Sequence, residues 1–237
     1  MPACGPSTAG VPVPHTMGPM RFADRREAGI QLGSALARFR GQRPLVFAIP
    51  RGAVAMGQLV ASTLGGDFDV VLVRKLGAPA NPELAVGAVD ESGWAHVAEF
   101  AEAVGATRAY LAEETARQLA ILRRRRALYT PAREAVDPRG RVAIVVDDGL
   151  ATGATMIAAL HAVRARRPAR LVCAVPVAAP DSVERVRTHA DEFVCLHTPE
   201  GFHSVGACYR DFPQVTDEEV VEALRQAPRA HPHGEAA

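Results

Sequence analysis

The sequence predicts an α/β domain: a mostly parallel sheet flanked by helices. Short apolar, β-branched runs recur at residues 44–49, 69–73, 142–146, 170–175 and 192–196. That is the composition of strands buried on both faces. Helix-forming stretches separate most of these runs, which is the alternation of parallel crossovers. Glycines, hydroxyls and charges gather just after several of the runs, at the strand ends where open parallel sheets bind ligands.

The bulk composition agrees. The chain has 237 residues, enough for one such domain with its own core, and 48% of them are hydrophobic and 22% charged, the balance of a soluble globular protein. A formal net charge of +1 supplies no global field toward nucleic acid or membrane. Cys4, Cys173, Cys195 and Cys208 are widely spaced, with no C-x-x-C pair. This argues against a disulfide scaffold or a zinc site and fits a reducing, cytoplasmic setting. No apolar run approaches the roughly 20 residues of a membrane span.

Residues 1–20 are rich in Pro and Gly and lack periodicity, so a disordered tail is expected, with Met17 or Met20 as alternative starts. They also lack the basic start and apolar core of a signal peptide. Residues 21–226 form the expected domain, and 227–237 a frayed end. Asp24 caps a helix running to about Arg40, with Ile30, Leu32, Leu36 and Phe39 inward and Arg25, Arg26 and Glu27 outward. A buried strand at 44–49 ends in Pro50, Arg51 and Gly52, and a helix follows from about Ala53 to Leu64. The strand at 69–73 is followed by Arg74 and Lys75, two cations suited to an anion of high charge density.

Residues 76–93 read as a loop and a short ribbon, where Asn81, Glu83 and Glu91 are either site residues or ordinary turn and surface residues. Thr107 to Tyr129 is a long helix with Leu111, Leu119, Leu122 and Leu128 inward and Glu113, Glu114 and Arg117 outward. Its end carries Arg123 to Arg126, either a solvated face favouring the helix C-terminus or a contact for phosphates or RNA. Residues 130–141 link back to the next strand. Farther on, a helix at 181–188 and a capped terminal helix from Thr216 to Arg225 complete the pattern. Between them, residues 197–213 hold His197, Phe202, His203, Tyr209 and Phe212, which either line a site or pack on the core.

The chemistry concentrates at residues 142–160, VAIVVDDGLATGATMIAAL. A strand, Val142 to Val146, runs into Asp147 and Asp148. A loop of small and hydroxyl residues follows (Gly149, Leu150, Ala151, Thr152, Gly153, Ala154, Thr155), then a helix. A loop entering a helix presents unpaired N–H groups and the positive end of the helix dipole, which suits a phosphate. Thr152 and Thr155 add hydroxyl donors. Two carboxylates would repel a phosphate, so they suit hydroxyls or a metal ion. A ligand with a phosphate at one end and a diol beside it, such as a ribose 5-phosphate, satisfies both halves. The stretch is neither a Walker A loop nor a G-x-G-x-x-G dinucleotide loop.

This stretch resembles the PRPP-binding motif of type I phosphoribosyltransferases: apolar strand, Asp-Asp, small residues, then Thr-Gly-x-Thr. The resemblance extends in organisation over residues 21–225. It implies a Rossmann-like sheet with a small hood, and the transfer of a phosphoribosyl group from PRPP to an acceptor, a nucleobase by default. Asp147 and Asp148 would hold the ribose hydroxyls, and the loop from Gly149 to Thr155 the 5-phosphate. Arg51, Gly52, Ala53, Arg74 and Lys75 would meet the pyrophosphate, and a cis peptide would join Pro50 to Arg51. Arg51, Arg74, Lys75, Asp147 and Asp148 would be the catalytic set. Mg²⁺ would arrive with PRPP, and the loop after Lys75 would close over the site. Part of the hood would lie at 197–213. Family members are often dimers. Ala151 departs from relatives that carry an acid there to act on a purine, so a base would come from elsewhere, with Glu83, Glu91 or His203 as candidates. Two other functions compete: a PRPP-binding regulator without turnover, and a metal-dependent hydrolase or phosphatase.

Overall fold

Three strands carry the sheet centre, and their side chains alternate between two cores. In β1 (Leu45–Ala48), Leu45 and Phe47 enter one core, Val46 and Ala48 the other. In β6 (Val142–Val146), Ala143 and Val145 take the first side, Ile144 and Val146 the second. β7 (Arg170–Val177) follows the same rule. A strand wetted on neither face reads as a continuous apolar run, which is why these segments were legible without alternation. The structure, a computed structural model, describes residues 22–82, 84–129, 131 and 136–227.

With β2 (Asp67–Val70) and β8 (Glu192–His197), these strands form a five-stranded parallel sheet in the order β2-β1-β6-β7-β8. Helices α1 (Arg25–Ala35), α2 (Val54–Leu64) and α6 (Asp217–Gln226) bury residues in one core, joined by α3 (Arg108–Tyr129) through Leu122 and Tyr129. Helices α4 (Ala154–Arg164) and α5 (Pro180–Arg187) close the other face. The chain leaves β1 toward β2 on one side and returns beside β1 as β6 on the other. The strand order therefore reverses between β1 and β6, and a crevice opens at their C-terminal ends.

Several expectations change in detail. The apolar run at 69–73 is not one strand. It breaks at Val71 and Leu72, and β3 (Val73–Gly77) leaves the main sheet to pair antiparallel with β4 (Ala85–Asp90), which pairs with β5 (Ala95–Val97). Arg74 and Lys75 thus lie within a strand of a second, small sheet, not in a loop after a parallel strand. The first helix ends at Ala35 and a short 3₁₀ turn covers Ala37–Phe39. Leu32, Leu36 and Phe39 are buried as expected, each such side chain stabilising by roughly 1.5–3 kcal/mol, but Ile30 is exposed. Glu114, expected outward, is buried because the small sheet packs on α3 and covers it. The terminal helix carries the expected capping box of Thr216 and Glu219. The expected tail at 1–20 with its Cys4, Glu83, and residues 228–237 of the expected C-terminal tail lie outside the described residues. Ala227, expected at the start of the C-terminal tail, is buried. No helix among the described residues is long and apolar enough to cross a membrane.

Candidate active site

The loop after β6 is held by its neighbours, which leaves its own donors unspent. Leu150 N–H donates to Val177 O at 2.9 Å, and Ala179 N–H donates to Leu150 O at 2.9 Å, fixing the loop to the end of β7. The buried Ser182 hydroxyl donates to Ala151 O. Gly149 sits where a Cβ would lie 2.7 Å from Val205 Cγ1 and 2.9 Å from Val177 Cγ1, so only glycine fits. Gly153 has φ +80° and opens α4, a conformation that glycine adopts without steric cost. The N–H groups of Ala151, Thr152, Gly153, Thr155 and Met156 find no acceptor among the described residues. They surround a cavity of about 230 Å³ lined also by Asp147, Lys75, Ala85 and Val205. Free N–H groups at a helix start, with a cation opposite, are arranged to suit a phosphate-type anion.

The acidic pair stands at the mouth of that cavity. Asp147 lines it, and Asp148 turns the other way. Arg25 Nε donates to Asp148 Oδ2 at 2.9 Å, Arg25 Nη1 donates to Pro213 O at 2.7 Å, and the guanidinium lies 3.6 Å over the Phe212 ring. Burial, then the neighbouring Asp148 charge, pushes Asp147 well above the ordinary carboxylate range. Burial raises Asp148 too, with Arg25 opposing it. The Tyr209 hydroxyl donates to Asp148 O at 2.6 Å, and burial raises its pKa, so it stays a donor. Arg25 was expected outward. It lies at the first helical position after the Asp24 cap, beyond the reach of the periodicity that sorts inward from outward residues, so only the tertiary structure reveals it.

The loop after β1 meets the same pair from the other side of the crevice. Pro50–Arg51 is a cis peptide bond, as the resemblance implied. The N–H groups of Gly52 and Ala53 find no acceptor among the described residues. A Cβ on Gly52 would fall 2.1 Å from Asp148 Oδ2 and 3.3 Å from Arg25 Nη2, so this backbone rests directly on the Asp148–Arg25 pair.

The cations divide into two groups. Arg74 and Lys75 are consecutive in β3, so they face opposite sides of it. Lys75 lines the cavity beside the loop after β6. Arg74 turns to α3, where its Nε donates to Gln118 Oε1 at 2.8 Å, and Gln118 Nε2 donates to Glu114 Oε1 at 2.8 Å. Arg51 joins Arg74 on that side, with Nη1 3.8 Å from Asp217 Oδ2.

Other candidates are placed apart. Glu91 accepts two hydrogen bonds from Arg126, at 2.8 and 2.6 Å, so the arginine run is not wholly a solvated face. His203 and Asn81 are exposed. Tyr209 packs on Phe22 and Phe212, and Phe202 rests against the core, so these aromatics of 197–213 serve mainly as packing. Val205 is the member of that segment that lines the cavity.

The chain is similar to known proteins. A family model described as phosphoribosyl transferase domain matches residues 27–211. The crystal structure of TT1426 from Thermus thermophilus is similar with a TM-score of 0.74 and 48% identity, covering 88% of this chain and 99% of that one. Relatives from two Mycobacterium tuberculosis strains (CDC 1551 / Oshkosh and H37Rv), whose names contain the words phosphoribosyl transferase, are each 42% identical over 211 residues. That is 88% of this chain and 47% of each relative, so the chain spans about half the length of the curated relatives it matches. The chain belongs to the phosphoribosyl transferase domain family, a family of transferase enzymes.

Proposed function

We propose that the chain transfers a phosphoribosyl group from Mg-PRPP to a nitrogen acceptor, releasing pyrophosphate. The observation that carries this reading is the pairing of five unspent N–H donors with two carboxylates at the strand-order reversal. The cradle from Ala151 to Thr155 and Lys75 take the 5-phosphate. Asp147 and Asp148 accept from the ribose hydroxyls. The Gly52 and Ala53 N–H groups, with Arg51 and Arg74, take the charge that grows on the leaving pyrophosphate. The acceptor nitrogen forms a bond to C1, the C1–O bond breaks, and its electron pair leaves with pyrophosphate. The nitrogen's proton passes to solvent, since Ala151 offers no base.

Mg²⁺ belongs to the substrate in this scheme and neutralises pyrophosphate oxygens. Among the described residues no group of three or more His, Cys, Asp or Glu could hold a metal ion. The hard oxygen donors at hand are Asp147 and Asp148, and Arg25 already engages Asp148. Such a pair suits a hydrated ion that arrives with phosphate ligands.

The engagement of Glu91 by Arg126 and the alanine at 151 favour a second reading, a PRPP-binding regulator without turnover. Pyrophosphate release from Mg-PRPP, measured against a panel of nucleobases and small amines, separates the two. Acceptor-dependent release that is lost in Asp147→Asn/Asp148→Asn supports the transferase. Tight PRPP binding with no release under any acceptor supports the regulator. Absence of binding refutes both.

A further inference from the structure

Three guanidiniums from three elements meet beside the β1 loop with their donors largely unused. Arg51 follows β1, Arg74 lies in β3, and Arg125 lies in the last turns of α3. Arg51 Nη1 and Arg125 Nε flank one carboxylate, Asp217, at 3.8 and 3.7 Å. Both distances are beyond a hydrogen bond. Asp217 Oδ1 already accepts from the buried Tyr129 hydroxyl at 2.5 Å. Arg74 spends its Nε on a neutral amide, Gln118. The guanidiniums of Arg51 and Arg125 hydrogen-bond no described residue. Yet the Arg125 side chain is only 18% exposed, so it is held in place by its surroundings rather than spread into solvent. Burial, and next the Arg125 charge, pushes the Arg74 guanidinium below its ordinary value, as expected of cations crowded together.

A partly buried cluster of three cations, with Asp217 between two of them and Glu114 near Arg74, has fewer carboxylates than cations and is short of negative charge. The forked donors of arginine match a phosphate-type anion bidentately. We propose that Arg125, from α3, is a third cation for the pyrophosphate of PRPP beside Arg51 and Arg74, and that Asp217 holds this fork and competes with the anion for it. This rests on the proposed use of PRPP and adds to it a contact from outside the two motif loops. It also separates Arg125 from its neighbours in the arginine run, of which Arg123 and Arg124 are exposed and Arg126 pairs with Glu91.

The test is binding of inorganic pyrophosphate with Mg²⁺, and separately of ribose 5-phosphate, by titration calorimetry. Arg125→Gln should weaken pyrophosphate by about tenfold or more, the loss of one charge-assisted fork, and leave ribose 5-phosphate unchanged. Arg124→Gln should change neither. Asp217→Asn should tighten pyrophosphate several-fold, an outcome that a merely unfolded variant cannot give. If native protein binds pyrophosphate and both Arg125→Gln and Asp217→Asn bind it equally well, the role of Arg125 is refuted and the PRPP reading stands. If native protein binds neither pyrophosphate nor PRPP, both fall.

Discussion

Arg25→Leu tests the most consequential contact outside the motif. The Arg25 and Asp148 side chains are 13% and 15% exposed, and their N–O distance is 2.9 Å. Exposed ion pairs contribute about 0.2–1 kcal/mol, while breaking a buried pair costs about 3–5 kcal/mol. This pair lies between those limits, nearer the buried one. We expect Arg25→Leu to cost about 2–3 kcal/mol, including a share from the guanidinium stacked on Phe212. For a domain of this size that is a fall in Tm of roughly 5–10 °C. In a double-mutant cycle with Asp148→Asn, read by urea unfolding at pH 7, the coupling should be about 2 kcal/mol. The coupling needs an ionised Asp148. Its folded pKa is raised, so the coupling should fade as pH falls through a value above the ordinary carboxylate range. Additive effects at pH 7, with a coupling under about 0.5 kcal/mol, would refute the reasoning.

The remaining predictions follow from the same geometry. Asp147→Asn should stabilise the fold and, on the proposed use of PRPP, abolish its binding. The native carboxyl has a raised folded pKa, so its contribution is full below the unfolded value of about 4 and is lost as pH rises through the folded one. The gain in Tm should therefore grow with pH and vanish in acid, and a uniform gain would contradict it. Gly52→Ala should displace Asp148 or Arg25, because its Cβ would meet Oδ2 at 2.1 Å, so PRPP affinity measured by calorimetry should fall. Gly153→Val should cost about 2 kcal/mol or more in urea unfolding, from φ +80° and a contact of 2.6 Å to Val186 Cγ2. Tyr129→Phe should cost about 1 kcal/mol in the same assay, because the ring stays buried while Asp217 loses a donor.

The central strands and the loop at 147–155 were legible because buried parallel strands announce themselves by composition and helix starts by small residues. The break at Val71 and Leu72 was not. Apolar residues continue across it, and composition does not mark where a chain leaves one sheet for another. The helix at 108–129 was legible in extent and partly in orientation: Leu122 is buried and Leu111 and Leu119 pack on the core as expected. Its contact with β3 is polar, built from Gln118 hydrogen-bonded to Glu114 and Arg74, which a search for apolar positions misses. Leu128, expected inward, is exposed. Arg25, Tyr209 and Val205 reach the site only through contacts between distant segments.

The small sheet has one more consequence. Its first strand carries adjacent cations to two destinations, and which goes where is decided by parity alone. A slip of one residue between β3 and β4 would send Lys75 to α3 and Arg74 into the cradle. The irregular step between Leu76 and Gly77 interrupts such sliding just past the two cations. The allocation of charge along the crevice is thus stored in a hydrogen-bond ladder, and a one-residue insertion before Arg74 would rewrite it without altering a single side chain.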